Sequence, residues 1–317
     1  MKLLFAFFRL IRWPNLIFIA LTQSLFYYCI IVPSLPESYN GLPYTLTQSL
    51  FYLLMTASVF IAAAGYIIND YFDINIDHVN KPDKMVVEKI IKRRSAILLH
   101  WVITSAGLLI SLYVSFKTSF IIIIANLLCA LLLWVYSTTF KKQLLSGNII
   151  ISLLTAWTVM VLYFAANNTY HFTIQFPQEI FTAMNRIFKF AVLYAGFAFI
   201  ISLVREVVKD IEDIQGDAKY NCKTMPIVWG IPSSKVFAGV WLVVLPGALS
   251  IILFYALQLG WWLATLYCSI MVVAPLIWIL RKLYTAQNTQ QYHQVSSIIK
   301  LVMLSGIVSM LFFKLYV

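Results

Sequence analysis

Apolar residues run along this chain in long unbroken stretches, such as Ala96–Phe116, Phe120–Val135 and Val236–Leu257. A helix needs about 20 residues to cross a bilayer core about 30 Å thick. Nine stretches of about that length can be placed, at roughly 13–33, 49–68, 96–116, 119–137, 148–166, 187–204, 236–257, 260–280 and 296–316. The pattern predicts an all-α polytopic membrane protein, with residues 1–317 forming one transmembrane domain. Arg9, Arg12 and Trp13 lead into the first stretch and no clean small-residue cleavage site follows, so it reads as a retained helix.

Composition agrees. The chain is 62% hydrophobic and 11% charged, whereas soluble proteins carry about 25% charged residues. The net charge of +11 raises the question of nucleic acid, and its distribution answers against it. With the N-terminus inside, only Lys117, Arg186, Lys189 and Lys314 of the 23 Lys and Arg fall on the outer side. So strong a bias is the positive-inside pattern of a membrane protein. The expected partners are membrane lipids, not nucleic acid. The expected location is the plasma membrane of a prokaryote, with the N-terminus and the charged loops cytoplasmic.

Cys29, Cys129, Cys222 and Cys268 have no metal or redox spacing. Asn167-Asn168-Thr169 matches a glycosylation sequon, a pattern too short to carry weight.

The acids carry more. Glu37 and Glu179 fall on outer loops, and the other ten divide between two inner ones. Asp70, Asp73, Asp77, Asp83 and Glu88 follow the second stretch; Glu206, Asp210, Glu212, Asp213 and Asp217 follow the sixth. Asp70, Asp73, Asp77 and Asp210, Asp213, Asp217 share the spacing i, i+3, i+7. If each helix runs on unbroken, each trio lies on one face about 60° wide. Three stacked carboxylates repel one another and make sense around a divalent cation. Magnesium takes carboxylate oxygens and shares its shell with substrate phosphates. Two such faces can clamp one diphosphate, whose departure the metal assists. Aromatic faces at Tyr66, Tyr71, Phe72 and Tyr136 are candidates to stabilise the carbocation left behind.

Duller readings are available. One acidic loop is most often a solvated loop, but two of identical spacing, each abutting an apolar stretch, are not accounted for that way. A calcium loop starting at Asp73 fails, because His78 stands where Gly is needed and Lys84 where Glu is needed.

At these residues a family becomes visible. Asn69-Asp70-Tyr71-Phe72-Asp73-Ile74-Asn75-Ile76-Asp77 resembles the first signature of the UbiA superfamily of intramembrane prenyltransferases. Lys209-Asp210-Ile211-Glu212-Asp213-Ile214-Gln215-Gly216-Asp217 resembles the second. Arg12-Trp13-Pro14-Asn15, Tyr136-Ser137 with Lys141-Lys142 and Gly147-Asn148, and Thr224-Met225-Pro226-Ile227 with Gly230 resemble further marks. The resemblance covers about residues 9 to 310.

It implies nine helices around a central cavity, with the aspartate motifs at its cytoplasmic mouth. It implies that Asn69, Asp70, Asp73 and Asp77 hold one magnesium–phosphate group, and Asp210, Asp213 and Asp217 the other. It implies that Lys141, Lys209 and Arg205 contact diphosphate oxygens and that Tyr136 touches the reacting carbon or an acceptor; charge-assisted bonds favour a polyanion there. Membrane topology alone accounts equally well for Lys141 and Lys142. The chain departs from the family after Asn80-Lys81-Pro82-Asp83, where Lys84-Met85-Val86-Val87-Glu88-Lys89 lacks the usual Pro and Gly.

The implied activity is transfer of an isoprenyl group from a polyprenyl diphosphate to a lipid-soluble acceptor. Arg205–Asp213 resembles most the branch that alkylates an isoprenyl glycerol phosphate, and the basic run Lys89, Lys92, Arg93, Arg94 suits such an acceptor. The same run also suits anionic lipid. An aromatic acceptor of quinone biosynthesis is the alternative. A transporter would place its ionisable groups near the bilayer midplane, whereas here they sit at helix ends. A CDP-alcohol phosphotransferase needs an Asp-Gly pair, and none occurs.

The charge bias makes a direct prediction: reporter fusions after residues 85 and 220 both score cytoplasmic. Fusions on opposite sides would separate the two acidic motifs and defeat a shared role.

Overall fold

The computed structural model describes residues 2–36, 46–80, 82, 85–167 and 178–316. Glu37, Lys81, Asp83, Lys84 and the sequon residues Asn168 and Thr169 lie outside the described residues. The structure is all-α: among the described residues no strand forms, and the one β-type contact is an isolated bridge between Val87 and Ile91.

Among the described residues, nine helices are long and apolar enough to cross a membrane, one for each predicted stretch. After a short α1 (Lys2–Leu10) come α2 (Trp13–Ser34) and α3 (Gln48–Phe72), then the short α4 (Ile74–Asn80). Next are α5 (Arg93–Lys117), α6 (Ile121–Thr138), α7 (Ser146–Ala166) and α8 (Gln178–Glu212). The short α9 (Ile214–Lys219) and α10 (Met225–Val228) lead to α11 (Gly230–Gln258), α12 (Trp262–Thr285) and α13 (Thr289–Phe313).

Local chemistry sets the boundaries. Pro14 sits in the first turn of α2, where a missing N–H costs nothing. Thr47 caps α3 by accepting from the Leu50 amide. Asn288 and Gln291 form a reciprocal capping box on α13. The predicted stretch 187–204 is only the middle of α8. Its 35 residues extend both ways, with Glu179 in the first turn and Lys209 in the last, each favourable to the helix dipole.

Two helices widen into a π-turn, α2 at Tyr27–Ile31 and α12 at Ser269–Val273. Each ends two residues before a proline, Pro33 and Pro275. A proline ring collides with the carbonyl four residues back. Those carbonyls belong to Cys29 and Met271, inside the widened turns, which give the ring room.

The chain divides into two compact units, one of residues 1–140 and 157–193, the other of 141–156 and 194–317. In the first, Ala6, Leu10, Ile67, Ile74, Val86, Val87 and Ala96 form a buried cluster. Gly65 lets Leu133 of α6 pack against the α3 backbone; a Cβ there would lie 2.8 Å from Leu133. Neutral polar groups join its helices as interhelical hydrogen bonds do in membranes. Gln23 donates to the Thr158 carbonyl (2.9 Å), Trp157 to Asn126 (3.0 Å), Asn126 to Ser111 (2.9 Å) and His100 Nδ1 to the Ala64 carbonyl (2.9 Å).

In the second unit, Val204, Val208, Met225, Leu242, Leu276, Ile279, Val295 and Ile299 form the core. A Cβ at Gly306 would sit 2.5 Å from the Phe197 ring. Gly306→Ala should therefore destabilise the protein by about 1–3 kcal/mol, the usual cost of overpacking. Phe197→Leu in the same chain should recover at least half of that in detergent melts. A double variant no more stable than Gly306→Ala would contradict this packing.

Candidate active site

Both acidic motifs are built by one backbone device. α3 stops at Phe72, Asp73 takes φ −87° and ψ 0°, and α4 restarts at Ile74. α8 stops at Glu212, Asp213 takes φ −94° and ψ 7°, and α9 restarts at Ile214. These angles fall in the sparsely used bridge region. An aspartate is at home there, because its short side chain competes for nearby backbone groups and weakens a helix interior. Hydrogen bonds meet at each break residue: the Asp73 amide donates to Asn69 O (3.0 Å), closing α3, and the Asp77 amide to Asp73 O (2.8 Å), opening α4. Likewise Asp213 donates to Lys209 O (2.8 Å) and Asp217 to Asp213 O (3.2 Å). The expectation of an unbroken helical face is thus corrected: the middle aspartate of each trio is itself the break.

In the first unit the carboxylates are held by partners from near and far. Asn69 Nδ2 donates to Asp73 Oδ2 at 2.6 Å, and both residues are buried. Arg12 reaches across from the start of α2 to Asp70 Oδ1 at 2.6 Å, with its guanidinium 5.2 Å from the centre of the Tyr66 ring. Asp77 is half-buried on α4. Beyond it, Val86–Ile91 makes a tight turn in which Glu88 takes φ 72° and its amide donates to Ile91 O. Arg93 pairs with Glu88 at 3.3 Å and lies over the Tyr71 ring at 5.2 Å; Lys89 donates to Pro82 O. Lys92 and Arg94 are exposed and make no ion pair among the described residues. Tyr136 is half-buried in the last turn of α6.

In the second unit Asn148 Nδ2 donates to Asp210 Oδ2 at 2.8 Å. Lys209 Nζ donates to both oxygens of Glu206 at 3.0 Å, and Arg205 Nη1 donates to the same carboxylate at 3.0 Å. Glu206 and Asp217 are buried, and Asp213 is half-buried. Glu212, beside the break, accepts from His293 Nδ1 of α13 at 2.8 Å. Lys141 is half-buried in the turn Phe140–Lys142, whose Lys142 carbonyl accepts from the Lys223 amide at 2.7 Å.

The sequence-predicted residues therefore fall into two sets, each complete within its own unit. Asn69, Asp70, Asp73, Asp77 and Tyr136 lie in the first; Lys141, Arg205, Lys209, Asp210, Asp213 and Asp217 lie in the second. Among the described residues, no three His, Cys, Asp or Glu side chains gather tightly enough to hold a metal unaided. The donors nevertheless fit magnesium, which takes oxygen ligands and completes its shell with water and phosphate. Among the described residues Asn69 Oδ1 is buried without a hydrogen-bond partner, an oxygen that a hard cation would satisfy.

Sequence reasoning gave Arg12 and Asn148 no role beyond marking the resemblance. Their signals were an arginine against a Trp-Pro pair and an asparagine at the mouth of an apolar stretch. Nothing in the sequence paired them with acids about sixty positions away.

Apolar spanning helices ending in acids, with cations poised on one of them, define a membrane-embedded protein equipped for polyanion chemistry. Residues 37–302 match the UbiA prenyltransferase family, and the chain belongs to that family. It is 27% identical over 260 residues to the digeranylgeranylglyceryl phosphate synthase of Methanosphaera stadtmanae, covering 81% of this chain and 85% of that protein. A solved structure from work on digeranylgeranylglyceryl phosphate synthase in membranes superposes with TM-score 0.58 at 25% identity, over 98% of this chain and 99% of that one. A UbiA homologue from Archaeoglobus fulgidus bound to GPP and Mg2+ superposes with TM-score 0.56 over 96% of this chain and 99% of that one. At 14% identity that likeness is one of fold alone.

The Glu206 cluster gives a prediction. Glu206→Gln leaves Arg205 and Lys209 with no carboxylate between them and should cost about 1–3 kcal/mol. Inorganic pyrophosphate should then raise the melting temperature of the variant more than that of the parent. Equal shifts would mean that Glu206 is not what holds these two cations.

Proposed function

We propose that this membrane prenyltransferase carries an isoprenyl group from a polyprenyl diphosphate to the hydroxyl of an isoprenyl glycerol phosphate. The allylic carbon–oxygen bond breaks, and diphosphate leaves with the electron pair. The acceptor oxygen bonds the carbon and gives up its proton. The observation that carries the reading is the matched break at Asp73 and Asp213, which sets a third carboxylate, Asp77 or Asp217, on a short helix of its own after the first two. The name of the Methanosphaera relative supports the choice of acceptor.

Asn69, Asp70, Asp73 and Asp77 would hold one magnesium ion, and Asp210, Asp213 and Asp217 the other. Bound magnesium would supply electrophilic assistance to the leaving diphosphate. Lys209 and Arg205, parked on Glu206 in this structure, turn to the diphosphate oxygens, and Lys141 joins them. Tyr136 lies against the reacting carbon or the acceptor, and aromatic faces from Tyr66, Tyr71 and Phe72 stabilise positive charge on carbon. Lys92 and Arg94 supply the cations that a glycerol phosphate requires. In this reading residues 1–317 work as one catalytic domain, with the N-terminus and both motifs on the cytoplasmic face of a prokaryotic plasma membrane.

Purified enzyme supplied with magnesium and geranylgeranyl diphosphate should alkylate geranylgeranylglyceryl phosphate and leave hydroxybenzoate unreacted. Turnover of the aromatic acid alone would move the assignment to quinone chemistry. Asp73→Asn and Asp213→Asn should each lower turnover at least about 100-fold, or about 2.7 kcal/mol in barrier. Each should also lose most of the thermal stabilisation that magnesium plus a diphosphate analogue gives the parent. Equal ligand-induced shifts in parent and variants would remove these aspartates from the metal site.

A further inference from the structure

α1 is a nine-residue helix whose two faces are both apolar. One face is buried: Ala6 and Leu10, with Ile11 just beyond, pack with Ile67, Ile74 and Val86 around the first acidic motif. At 100° per residue, Leu4, Phe8 and Phe5 occupy a sector about 100° wide on the opposite side. They are 62%, 44% and 76% exposed. Lys2 and Arg9 stand together on one flank, between the two faces. At about 1.5 Å per residue the helix is far too short to cross a bilayer.

What covers the outer face follows from its continuation. Trp13 and Ile17, at the start of α2, are each 50% exposed, so the next exposed apolar side chains along the chain belong to a helix long and apolar enough to cross a membrane. A helix with an apolar face and a cationic flank lies in the membrane interface.

The elbow between α1 and α2 joins this surface to the acids. Arg12 adopts φ 51° and ψ 52°, a left-handed conformation that is strained for a non-glycine residue. Hydrogen bonds from the Arg12 amide to Arg9 O (3.0 Å) and from the Asn15 amide to Arg12 O (2.8 Å) hold the elbow. The conformation delivers the guanidinium to Asp70. We propose that α1 is an interfacial helix whose Leu4–Phe5–Phe8 face is seated at the headgroup–acyl boundary of an anionic leaflet, and that this seating holds Arg12 on Asp70. Arg12 is then a positioning residue. Unseating the helix releases the elbow and leaves Asp70 uncompensated beside Asp73, which repels an incoming diphosphate.

Two measurements test this on the full chain in phosphatidylglycerol–phosphatidylcholine vesicles. With p-benzoylphenylalanine in place of Phe5 or Phe8, irradiation should give phospholipid adducts at least about 3-fold above those from the same group at exposed Gln290. Cross-links to a second copy of the chain, or adducts no higher than at Gln290, would overturn the seating. These adducts are read without turnover, so they stand apart from the acceptor proposed above. In the second measurement, Phe5→Glu/Phe8→Glu should raise KM for geranylgeranyl diphosphate about 10-fold with kcat within about 3-fold. Arg12→Ala should do the same, and Arg12→Lys should restore part of it. Combining Arg12→Ala with the two glutamates should add nothing further, as expected of groups acting through one path. Multiplying effects, or an equal fall in kcat, would overturn the coupling between helix and Asp70.

Discussion

Carboxylates at the ends of apolar helices need compensating charge, and the residues around each acidic motif are arranged to meet that need. Two unit charges 6 Å apart repel by about 3 kcal/mol at an effective dielectric near 20. Without metal, the chain meets the cost with partners of limited strength. Asp73 and Asp210 each have a neutral amide, from Asn69 and Asn148; Asp70 has an arginine on a separate helix. Glu206 takes two cations at once. An amide satisfies a hydrogen bond but brings no net charge, so it leaves most of the field of its carboxylate in place. Such compensation keeps the acids folded and still attractive to a cation.

The break at the middle aspartate is the second half of the same design. On a continuous helix, three carboxylates at i, i+3 and i+7 would all point one way at fixed spacing. Breaking the helix at Asp73 and Asp213 puts the third residue on a separate short helix, in which the amides of Asp77 and Asp217 donate to the carbonyls of the break residues themselves. The similar φ and ψ in the two motifs show that their common spacing encodes a common backbone, beyond a common charge pattern.

That distinction marks how far the sequence could be read. Every spanning helix was legible, because an apolar stretch of bilayer length is rarely anything but a membrane span. The length of α8 was not. Its outer turns hold Glu179, Arg205, Glu206 and Lys209, which end an apolar stretch but not a helix. The acidic residues were legible from their spacing, whereas the breaks were not, since the same letters fit an unbroken helix. Arg12 and Asn148 were out of reach for another reason. They meet their acids across 58 and 62 residues of chain, and a pairing at that range is fixed by helix packing, which no local pattern reports.

The placement of prolines bears on what each helix is for. α3 and α8 carry the acids and contain no proline. α2 and α12 contain Pro33 and Pro275 and yield at adjacent π-turns; α11 contains Pro246. A proline within a membrane helix removes one hydrogen bond and permits a bend, which neighbouring polar groups and widened turns make tolerable. A helix that must deliver carboxylates to fixed positions cannot allow such a bend along its length, because a small angular error at its middle becomes ångströms at its end. The acids therefore sit on helices whose ladders run uninterrupted for 25 and 35 residues, and irregularity is admitted only at the terminal aspartate, where it is used. Precise sites are best supported by rigid elements. In this chain that rule extends to where the backbone is allowed to be imperfect.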